Sequence, residues 1–369
     1  MEVNGQHIYL VTSSDSRGDV PLFVDIEEAD SHLLPVLGRK CAFLGELKKL
    51  GFKVPEGFFI SIPVYLAFLK ETGIEERIKE AIVNAETKGF NVETYEELAS
   101  LIMNLIQKTE MPLWIAREIE NRYELLCSKF NKEVPVAVRS SGVESRPGLF
   151  DTYLYVVGKS AVIENVKKVW ASQYTARAIA FRKTKDIPLD GDPLGVAVIR
   201  MIDADVSGIC FTVNPITGDR SKVIIETNWG LGEGVVSGGE TIDTYIVEKS
   251  NLEIVEKTVR KKEKMVARKP DGGTCWVEVP PEKAERACLS DEQIKMVAAE
   301  ALKVEEKMGM PQDIEWAIES ESSELYLLQT RPAKGLGISA SDKIAQRISS
   351  FHRELKIKPD SLKSISFKF

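Results

Sequence analysis

The side chains best suited to chemistry lie late in the chain, in two strand-like segments at 313–319 and 324–331. Alternation along the first segment puts Asp313, Glu315 and Ala317 on one face. The opposite face receives the apolar residues Ile314, Trp316 and Ile318. In the second segment, the same alternation predicts one shared face for Leu325, Leu327, Gln329 and Arg331. A carboxylate, an amide oxygen and a guanidinium would then converge, which suits a magnesium-bound phosphate. The alternative is a sheet with a solvated polar face.

Two further motifs are candidate anion sites. Arg139, Ser140 and Ser141 lead from a strand-like run into Gly142, and a glycine turn exposes backbone N–H groups to an anion. In Gly38-Arg39-Lys40 the lysine comes just before a predicted helix, where the cation and the helix dipole together favour phosphate. The alternatives are a surface turn with a salt-bridging arginine and a solvent-exposed lysine.

A glycine-rich segment from Trp229 to Gly234 would let a backbone close over a ligand. It lacks both the GKS/T of a phosphate loop and the spacing of a dinucleotide fingerprint, so by itself it is a weak signal.

Other kinds of site are not expected. His7, His32 and His352 are far apart and have no HxxxH or HExxH spacing, so neither a zinc site nor a serine triad is predicted. The basic run from Lys257 to Lys269 resembles one face of a hairpin because Glu263, among others, interrupts it. With 49 basic and 56 acidic residues the net charge is -7, and no nucleic-acid partner is predicted.

Composition bounds the class of protein. The chain has 369 residues, of which 43% are hydrophobic and 28% charged, so global disorder is excluded and two or three lobes are expected. The N-terminus has no leader pattern and no long apolar run occurs, which predicts neither secretion through a signal peptide nor a membrane partner. Five scattered cysteines without a CxxC pair indicate reduced thiols and a cytoplasmic protein.

The elements that must position these residues are short strands in succession, with helices interspersed irregularly. Strands are predicted at 134–141, 195–202, 208–213, 222–227 and 243–248, before the final pair. Helical periodicity predicts helices at 42–50, 62–72, 75–87, 95–109, 112–130, 161–183 and 290–309. This order favours an α+β fold over a doubly wound sheet. An amphipathic helix is predicted at 341–356.

Six motifs in order, between Leu37 and Pro332, resemble the nucleotide-binding portion of the phosphoenolpyruvate synthase and pyruvate phosphate dikinase family. They are LGRKCAFLGELKKLGFKVPEGFFIS, VAVRSSG, RPGLFDTYLYVVG, VIRMIDADVSGICFTVNPITGD, NWGLGEGVVSG, and DIEWAI followed by LYLLQTRP. Arg39 stands where the family usually has a second glycine. The RPGLFDTY loop has the shorter spacing of pyruvate phosphate dikinase.

The resemblance implies an ATP-grasp fold, in which two α+β lobes clasp ATP. The first lobe would span 36–200, with its helical subregion, and the second 201–334. Residues 1–35 would form an N-terminal extension, and 335–369 a linker with the C-terminal helix.

The resemblance also implies roles for single residues. Lys40, Arg139 and Arg331 fall on the family's catalytic and phosphate-binding cations. Glu315 and Gln329 fall on its Mg²⁺ positions. The other residues expected to bind ATP are Ser140, Ser141, Arg200, Met201, Gly230, Gly232, Glu233 and Asp313.

The family reaction passes the β-phosphoryl group of ATP to a histidine and leaves AMP and phosphate. None of the three histidines here follows a Thr-Ser pair. We therefore expect a partner subunit that carries a phosphohistidine swivelling domain and the substrate-binding domain. More specifically, we expect this chain to be an ATP-binding subunit that resembles the small subunit of phenylphosphate synthase.

Several alternatives stay open. A two-chain phosphoenolpyruvate synthase would use pyruvate as acceptor, and a self-sufficient ATP-grasp ligase would form ADP. A relative of antibiotic phosphotransferases and a subunit that senses nucleotide without chemistry are the others. The helix at 341–356 is a candidate dock for the partner, or else packs on its own lobe.

Overall fold

The structure, a computed structural model, describes most of the chain between residues 20 and 333. The described residues are 20–146, 148–190, 192–236, 241–270 and 272–333, together with two short strands near the N-terminus. These strands are β1 (Glu2–Val3) and β2 (Gln6–His7), and they pair antiparallel with each other. The predicted C-terminal linker and helix lie outside the described residues.

The first lobe is built on a five-stranded antiparallel sheet. Its strands are β3 (Phe23–Asp25), β4 (Gly57–Ile60), β5 (Val136–Ser141), β6 (Thr152–Val156) and β7 (Gly195–Arg200). The spatial order is β3-β4-β7-β5-β6, so β5 and β7 lie inside the sheet. Val136, Val138, Val196 and Val198 on these strands are buried, as expected of β-branched residues in a covered sheet.

Eight α-helices accompany this sheet in the described part of the chain. They are α1 (Leu34–Leu37), α2 (Arg39–Lys49), α3 (Ile62–Glu71), α4 (Ile74–Lys88), α5 (Val92–Lys108), α6 (Leu113–Ser128), α7 (Lys159–Ser172) and α8 (Ala176–Thr184). The predicted helical subregion is present as α3 to α6. Its apolar stripes pack around Trp170 of α7, which is fully buried in the same apolar cluster.

The single helix predicted at 161–183 is wrong, because the chain forms α7 and α8 there. Thr175 is extended (φ -60°, ψ 150°), and its side chain accepts a hydrogen bond from the Ala178 N–H at 3.2 Å. Such a cap satisfies a free donor at the start of a new helix, so the chain turns at this point.

The second lobe is built on a six-stranded sheet of β8 (Ala204–Phe211), β9 (Lys222–Trp229), β10 (Asp243–Glu248), β11 (Ile254–Thr258), β14 (Gln312–Glu319) and β15 (Leu325–Pro332). Its spatial order is β11-β10-β9-β8-β14-β15. A separate hairpin is formed by β12 (Lys264–Arg268) and β13 (Thr274–Glu278). The basic run at 257–269 is thus divided between β11 and β12, which do not pair with each other.

The helices of this lobe that fall in the described residues are α9 (Glu233–Val236), α10 (Pro281–Ala284) and α11 (Asp291–Met308). α11 begins with a capping box in which Ser290 and Gln293 satisfy each other's backbone N–H groups. Its buried face packs against β8, β9 and β14. This face belongs to the same apolar cluster as Leu44 and Leu47 of α2, so the two lobes share a core.

The predicted α+β class is confirmed, and the two sheets face a common cavity, as expected of two lobes that clasp a ligand. The predicted lobe boundaries stay a prediction. Among the described residues, no helix combines the length and apolar character needed to span a bilayer.

Candidate functional site

A cavity of about 670 Å³ lies between the two lobes. Its walls come from the start of α2, from β5 to β7 of the first sheet, and from β8, β14 and β15 of the second. Residues within 142–146, 148–151 and 231–233, before β6 and at the start of α9, also reach it. The motifs that are dispersed along the sequence therefore meet in one place.

Arg139 extends from β5 across the cavity to the second lobe. Its Nη1 donates to the Leu328 carbonyl oxygen at 3.3 Å. Its Nη2 donates to Glu315 Oε2 at 3.3 Å and to Gln329 Oε1 at 3.2 Å. The predicted phosphate-binding arginine thus contacts both predicted magnesium ligands.

A β-bulge explains how the Leu328 carbonyl becomes available. Glu315 pairs with Gln329 and Trp316 pairs with Leu327, which leaves Leu328 without a partner on β14. Bulges often redirect groups next to active sites. The prediction that Leu325 and Leu327 share a face with Gln329 and Arg331 is wrong for this reason. The two leucines pack in the apolar core, whereas Gln329 and Arg331 line the cavity.

Glu315 and Gln329 offer oxygens that suit a hard cation. Gln329 Nε2 donates to Glu315 Oε1 at 3.0 Å, so the two side chains are held together. Glu315 Oε2 and Gln329 Oε1 both face the Arg139 guanidinium, which shows that they converge on one positive group. The described residues contain no group of three or more His, Cys, Asp or Glu side chains placed to hold a metal. Mg²⁺ would therefore need phosphate oxygens and water to complete its shell, as it commonly does.

Arg331 is held by Asp313, its direct partner across β14 and β15. Both Nε and Nη2 of Arg331 lie 2.7 Å from Asp313 Oδ2. Asp313 is buried, but Arg331 keeps about a third of its side-chain surface exposed toward the cavity. The carboxylate therefore fixes the arginine and leaves part of the guanidinium available for an anion.

Lys40 reaches the cavity because α2 begins against the end of β5. Gly38 (φ 75°) makes this contact possible, since a β-carbon there would lie 2.1 Å from the Ser141 carbonyl oxygen. The Ser141 hydroxyl then accepts from the Cys41 N–H at 3.1 Å. Within the described residues, the Lys40 ammonium has no hydrogen bond or ion pair. Burial, assisted by the positive charge of Arg139, lowers the pKa of Lys40 to about 8.

The glycine-rich segment is fixed between the second sheet and the β12–β13 hairpin. The Gly230 N–H donates to the Asp205 carbonyl at 2.8 Å, and the Leu231 N–H donates to the Val266 carbonyl at 2.9 Å. A β-carbon on Gly230 would lie 2.4 Å from that Val266 oxygen. Gly232 and Glu233 come next and line the cavity.

Arg200 and Met201 lie at the crossing between the lobes. Arg200 donates to Glu56 Oε2 at 2.8 Å, Glu319 Oε1 at 2.7 Å and the Tyr326 hydroxyl at 2.9 Å. Burial alone would lower the pKa of Arg200, but the hydrogen bonds to Glu319 and Glu56 outweigh it and raise the pKa. The side chain of Arg200 therefore joins the lobes, and Met201 forms part of an apolar wall.

Most residues predicted to bind ATP or metal line this cavity. Those that do are Lys40, Arg139, Ser140, Arg200, Met201, Gly232, Glu233, Glu315, Gln329 and Arg331. Ser141, Gly230 and Asp313 do not line the cavity but support the residues and segments that do. Cavity residues that sequence reasoning missed include Arg39, Arg146, Leu154, Ile199 and Leu231. Arg39 stands beside Lys40, and the other four lie within the motifs quoted above, but nothing in the sequence singled out their side chains.

Residues 34–351 match the family described as pyruvate phosphate dikinase, AMP/ATP-binding domain. Three archaeal relatives are similar over most of this chain. A probable phosphoenolpyruvate synthase of Pyrococcus horikoshii is 37% identical over 363 residues, covering 87% of this chain and 44% of its own. The phosphoenolpyruvate synthase of Pyrococcus furiosus is 36% identical over 373 residues, covering 89% and 46%. A probable phosphoenolpyruvate synthase of Archaeoglobus fulgidus is 40% identical over 313 residues, covering 83% and 41%.

The solved D-alanine–D-alanine ligase of Helicobacter pylori is similar to 60% of this chain and 53% of its own, with 13% identity and a TM-score of 0.27. The chain spans less than half the length of the curated relatives named above. Since the family match covers the whole cavity and most of both lobes, this chain belongs to the pyruvate phosphate dikinase AMP/ATP-binding domain family.

Proposed function

We propose that this chain binds magnesium ATP between its lobes and directs the β-phosphoryl group to a histidine on a separate subunit. The observation that carries the proposal is the convergence of Lys40, Arg139 and Arg331 with Glu315 and Gln329 in one cavity. Cations and a magnesium site at one end of a cleft are what phosphoryl transfer needs, because its catalysis is mainly positioning and charge neutralisation.

The shape of the cavity supports a nucleotide. Val136 pairs with Arg200 at one end of β5 and β7, and Ser141 pairs with Gly195 at the other. These pairs are five residues apart, which corresponds to roughly 17 Å of extended strand. The Arg200 end has apolar walls, including Ile199, Met201 and Leu231, whereas the Ser141 end is next to Lys40. An adenine ring suits the first end and a triphosphate the second.

Charge at the second end supports the direction of binding. Arg139 and Arg331 already have carboxylate partners, and Lys40 has none among the described residues. An ammonium held in a partly dry site without an acceptor is costly, so an incoming phosphate gains by pairing with it. Glu315 and Gln329 would hold Mg²⁺ against the same phosphates, and the bound metal would neutralise charge on them.

The reaction consumes ATP, water and the acceptor histidine. The bonds joining the α- and β-phosphorus atoms and the β- and γ-phosphorus atoms are broken. The β-phosphoryl group ends on the histidine nitrogen, and AMP and phosphate leave. His32, the histidine whose side chain the structure describes, is exposed on the surface and does not line the cavity. This supports an acceptor outside the cavity wall, on the proposed partner with its swivelling and substrate-binding domains.

The specific enzyme that we propose is phenylphosphate synthase, in which phenol is the final acceptor of the phosphoryl group. A two-chain phosphoenolpyruvate synthase with pyruvate as acceptor is favoured by a different observation, the names of the archaeal relatives. Free thiols at all five cysteines support a location in the reducing cytoplasm.

The proposal is tested by incubating the chain with Mg²⁺ and β-labelled ATP, alone and with proteins that co-purify with it. Label on a partner histidine together with AMP is the expected result. ADP formed by the isolated chain, without labelled protein, would instead indicate a self-sufficient ligase. Adding phenol or pyruvate in turn then identifies the acceptor that discharges the labelled histidine.

A further inference from the structure

One cation in the cavity, Arg39, has no assigned role. It is the first residue of α2 and lies directly before Lys40. Its side chain lines the cavity, and its Nε atom is buried without a hydrogen-bond partner. Within the described residues its guanidinium makes neither a hydrogen bond nor an ion pair. An arginine in this state is unusual, because buried donors are nearly always satisfied.

The surroundings of Arg39 fix its position without filling its donors. Its backbone N–H donates to the Gly142 carbonyl at 2.8 Å, which ties the start of α2 to the loop after β5. Its guanidinium carbon lies 5.7 Å from the centre of the Phe43 ring, one turn along the same helix. The side chain is thus oriented by an aromatic contact, which leaves the hydrogen-bonding fork for another group.

The carboxylate of Glu144 does not pair with the hydrogen-bond donors of Arg39. Burial lowers its pKa below the usual value, and the negative charge of Glu144 only partly opposes this. Glu144 is exposed on the loop after β5 and forms no ion pair with Arg39. The guanidinium stays protonated in any case, because the pKa of arginine is far above neutral.

We propose that Arg39 binds the phosphate chain of ATP together with Lys40, as a second cation of the phosphate subsite. This inference rests on the proposed function. Arg139 and Arg331 each have a carboxylate partner, whereas the adjacent Arg39 and Lys40 have none among the described residues. A guanidinium fork matches two phosphate oxygens, so Arg39 recognises polyphosphate rather than the nucleoside.

Affinity measurements with three probes test this role. The variants Arg39→Gln and Arg39→Lys are titrated with ATP, AMP and inorganic tripolyphosphate, each with Mg²⁺, after circular dichroism has shown that they fold. Arg39→Gln should weaken ATP and tripolyphosphate about tenfold, the size expected for one charge-assisted contact, and leave AMP unchanged. Arg39→Lys should recover part of the loss. Glu144→Gln, which removes the opposing charge, should tighten ATP slightly.

Other results overturn the inference. An equal loss for ATP and AMP means that Arg39 only supports the fold, and unchanged ATP affinity means that it does not contact phosphate. If Arg39→Gln fails to fold, the other two variants decide. Wild-type affinity of Arg39→Lys for every probe, together with no effect of Glu144→Gln, would also show that Arg39 does not contact phosphate. Lys40→Ala separates the two proposals: if it weakens ATP while Arg39→Gln does not, only the inference fails. If the wild type binds no ATP, the proposed function fails, and the inference with it.

Discussion

Arg139 and Glu315 connect the two lobes directly: Nη2 of Arg139 lies 3.3 Å from Oε2 of Glu315, although 176 positions separate them in the chain. The pair neutralises the predicted phosphate-binding cation with a predicted metal ligand. Magnesium ATP would satisfy both groups anew, since phosphate would bind Arg139 and Mg²⁺ would bind Glu315. The pair therefore leaves neither charge without a partner before the nucleotide binds.

Glu315→Ala is expected to reduce phosphoryl transfer by on the order of a hundredfold or more, because it removes a metal ligand from a site of charge neutralisation. The measurement is transfer of label from β-labelled ATP, with ATP affinity at several Mg²⁺ concentrations. Glu226→Gln is the matched control. Glu226 pairs with Ile209 on β8, and Ile209 pairs with Glu315, so the two glutamates share one face of the sheet. Glu226 does not line the cavity. Near-normal transfer by Glu315→Ala would contradict the metal role.

ATP affinity should fall as the pH rises above about 8. The pKa of Lys40 is lowered to about 8, so the free site loses this positive charge above that pH, and the proton must be regained when phosphate binds. The measurement is the dissociation constant of ATP between pH 6.5 and 9.5. Lys40→Arg stays charged throughout and should lose this dependence. A wild-type affinity that is constant over the whole range would show that Lys40 does not bind phosphate.

Lys40→Met should stabilise the protein near pH 7, by up to about 3 kcal/mol, while it weakens ATP binding. The unfolded chain keeps this lysine protonated up to its ordinary pKa of 10.5, whereas the folded chain releases the proton near pH 8. Unfolding therefore takes up a proton between these values, and the stability of the wild type rises with pH across that window. Urea unfolding should show the largest advantage of the variant below pH 8 and a shrinking one above it. A variant less stable than the wild type at pH 7 would contradict this.

Asp313→Asn should lower phosphoryl transfer about tenfold or more while it changes ATP affinity little. Asp313 acts through Arg331, whose Nε and Nη2 both lie 2.7 Å from one carboxylate oxygen, and losses of this size follow when an orienting partner is removed. The measurement is the single-turnover rate compared with the dissociation constant of ATP. Arg331→Lys keeps the charge but not the forked donors, so it should likewise lower the transfer rate and change ATP affinity little. A large loss of ATP affinity in Asp313→Asn would instead place the carboxylate in direct contact with the nucleotide.

Arg200→Ala should lower the free energy of unfolding by about 2 to 4 kcal/mol, because Glu56 and Glu319 would lose their partner at the crossing between the lobes. The measurement is denaturant unfolding together with ATP affinity. Arg200→Lys keeps the charge but cannot serve three acceptors, so an intermediate loss is expected. Unchanged stability with weakened ATP binding would show that the side chain serves the nucleotide, as the sequence predicts.

The sequence alone determined the side-chain faces of β14. Ile314, Trp316 and Ile318 are buried in the apolar core, whereas the Glu315 side chain contacts Arg139 in the cavity. A period of two depends only on neighbouring residues, so it can be read locally. The order of the motifs likewise led to the family before any geometry was considered, because each motif is short and contiguous.

Tertiary structure decided the features that depend on residues far apart in the chain. The bulge at Leu328 arises from the pairing of β14 with β15, and it reversed the predicted face of Leu327. The contact of Arg139 with Glu315 and the link from Arg200 to Glu319 need both lobes in place. In the sequence, Arg39 is indistinguishable from a solvent-exposed cation. Its place in the cavity follows from the packing of α2 against Ser141 and Gly142. Burial and charge compensation come from groups brought together by folding, and a local pattern contains no information about them.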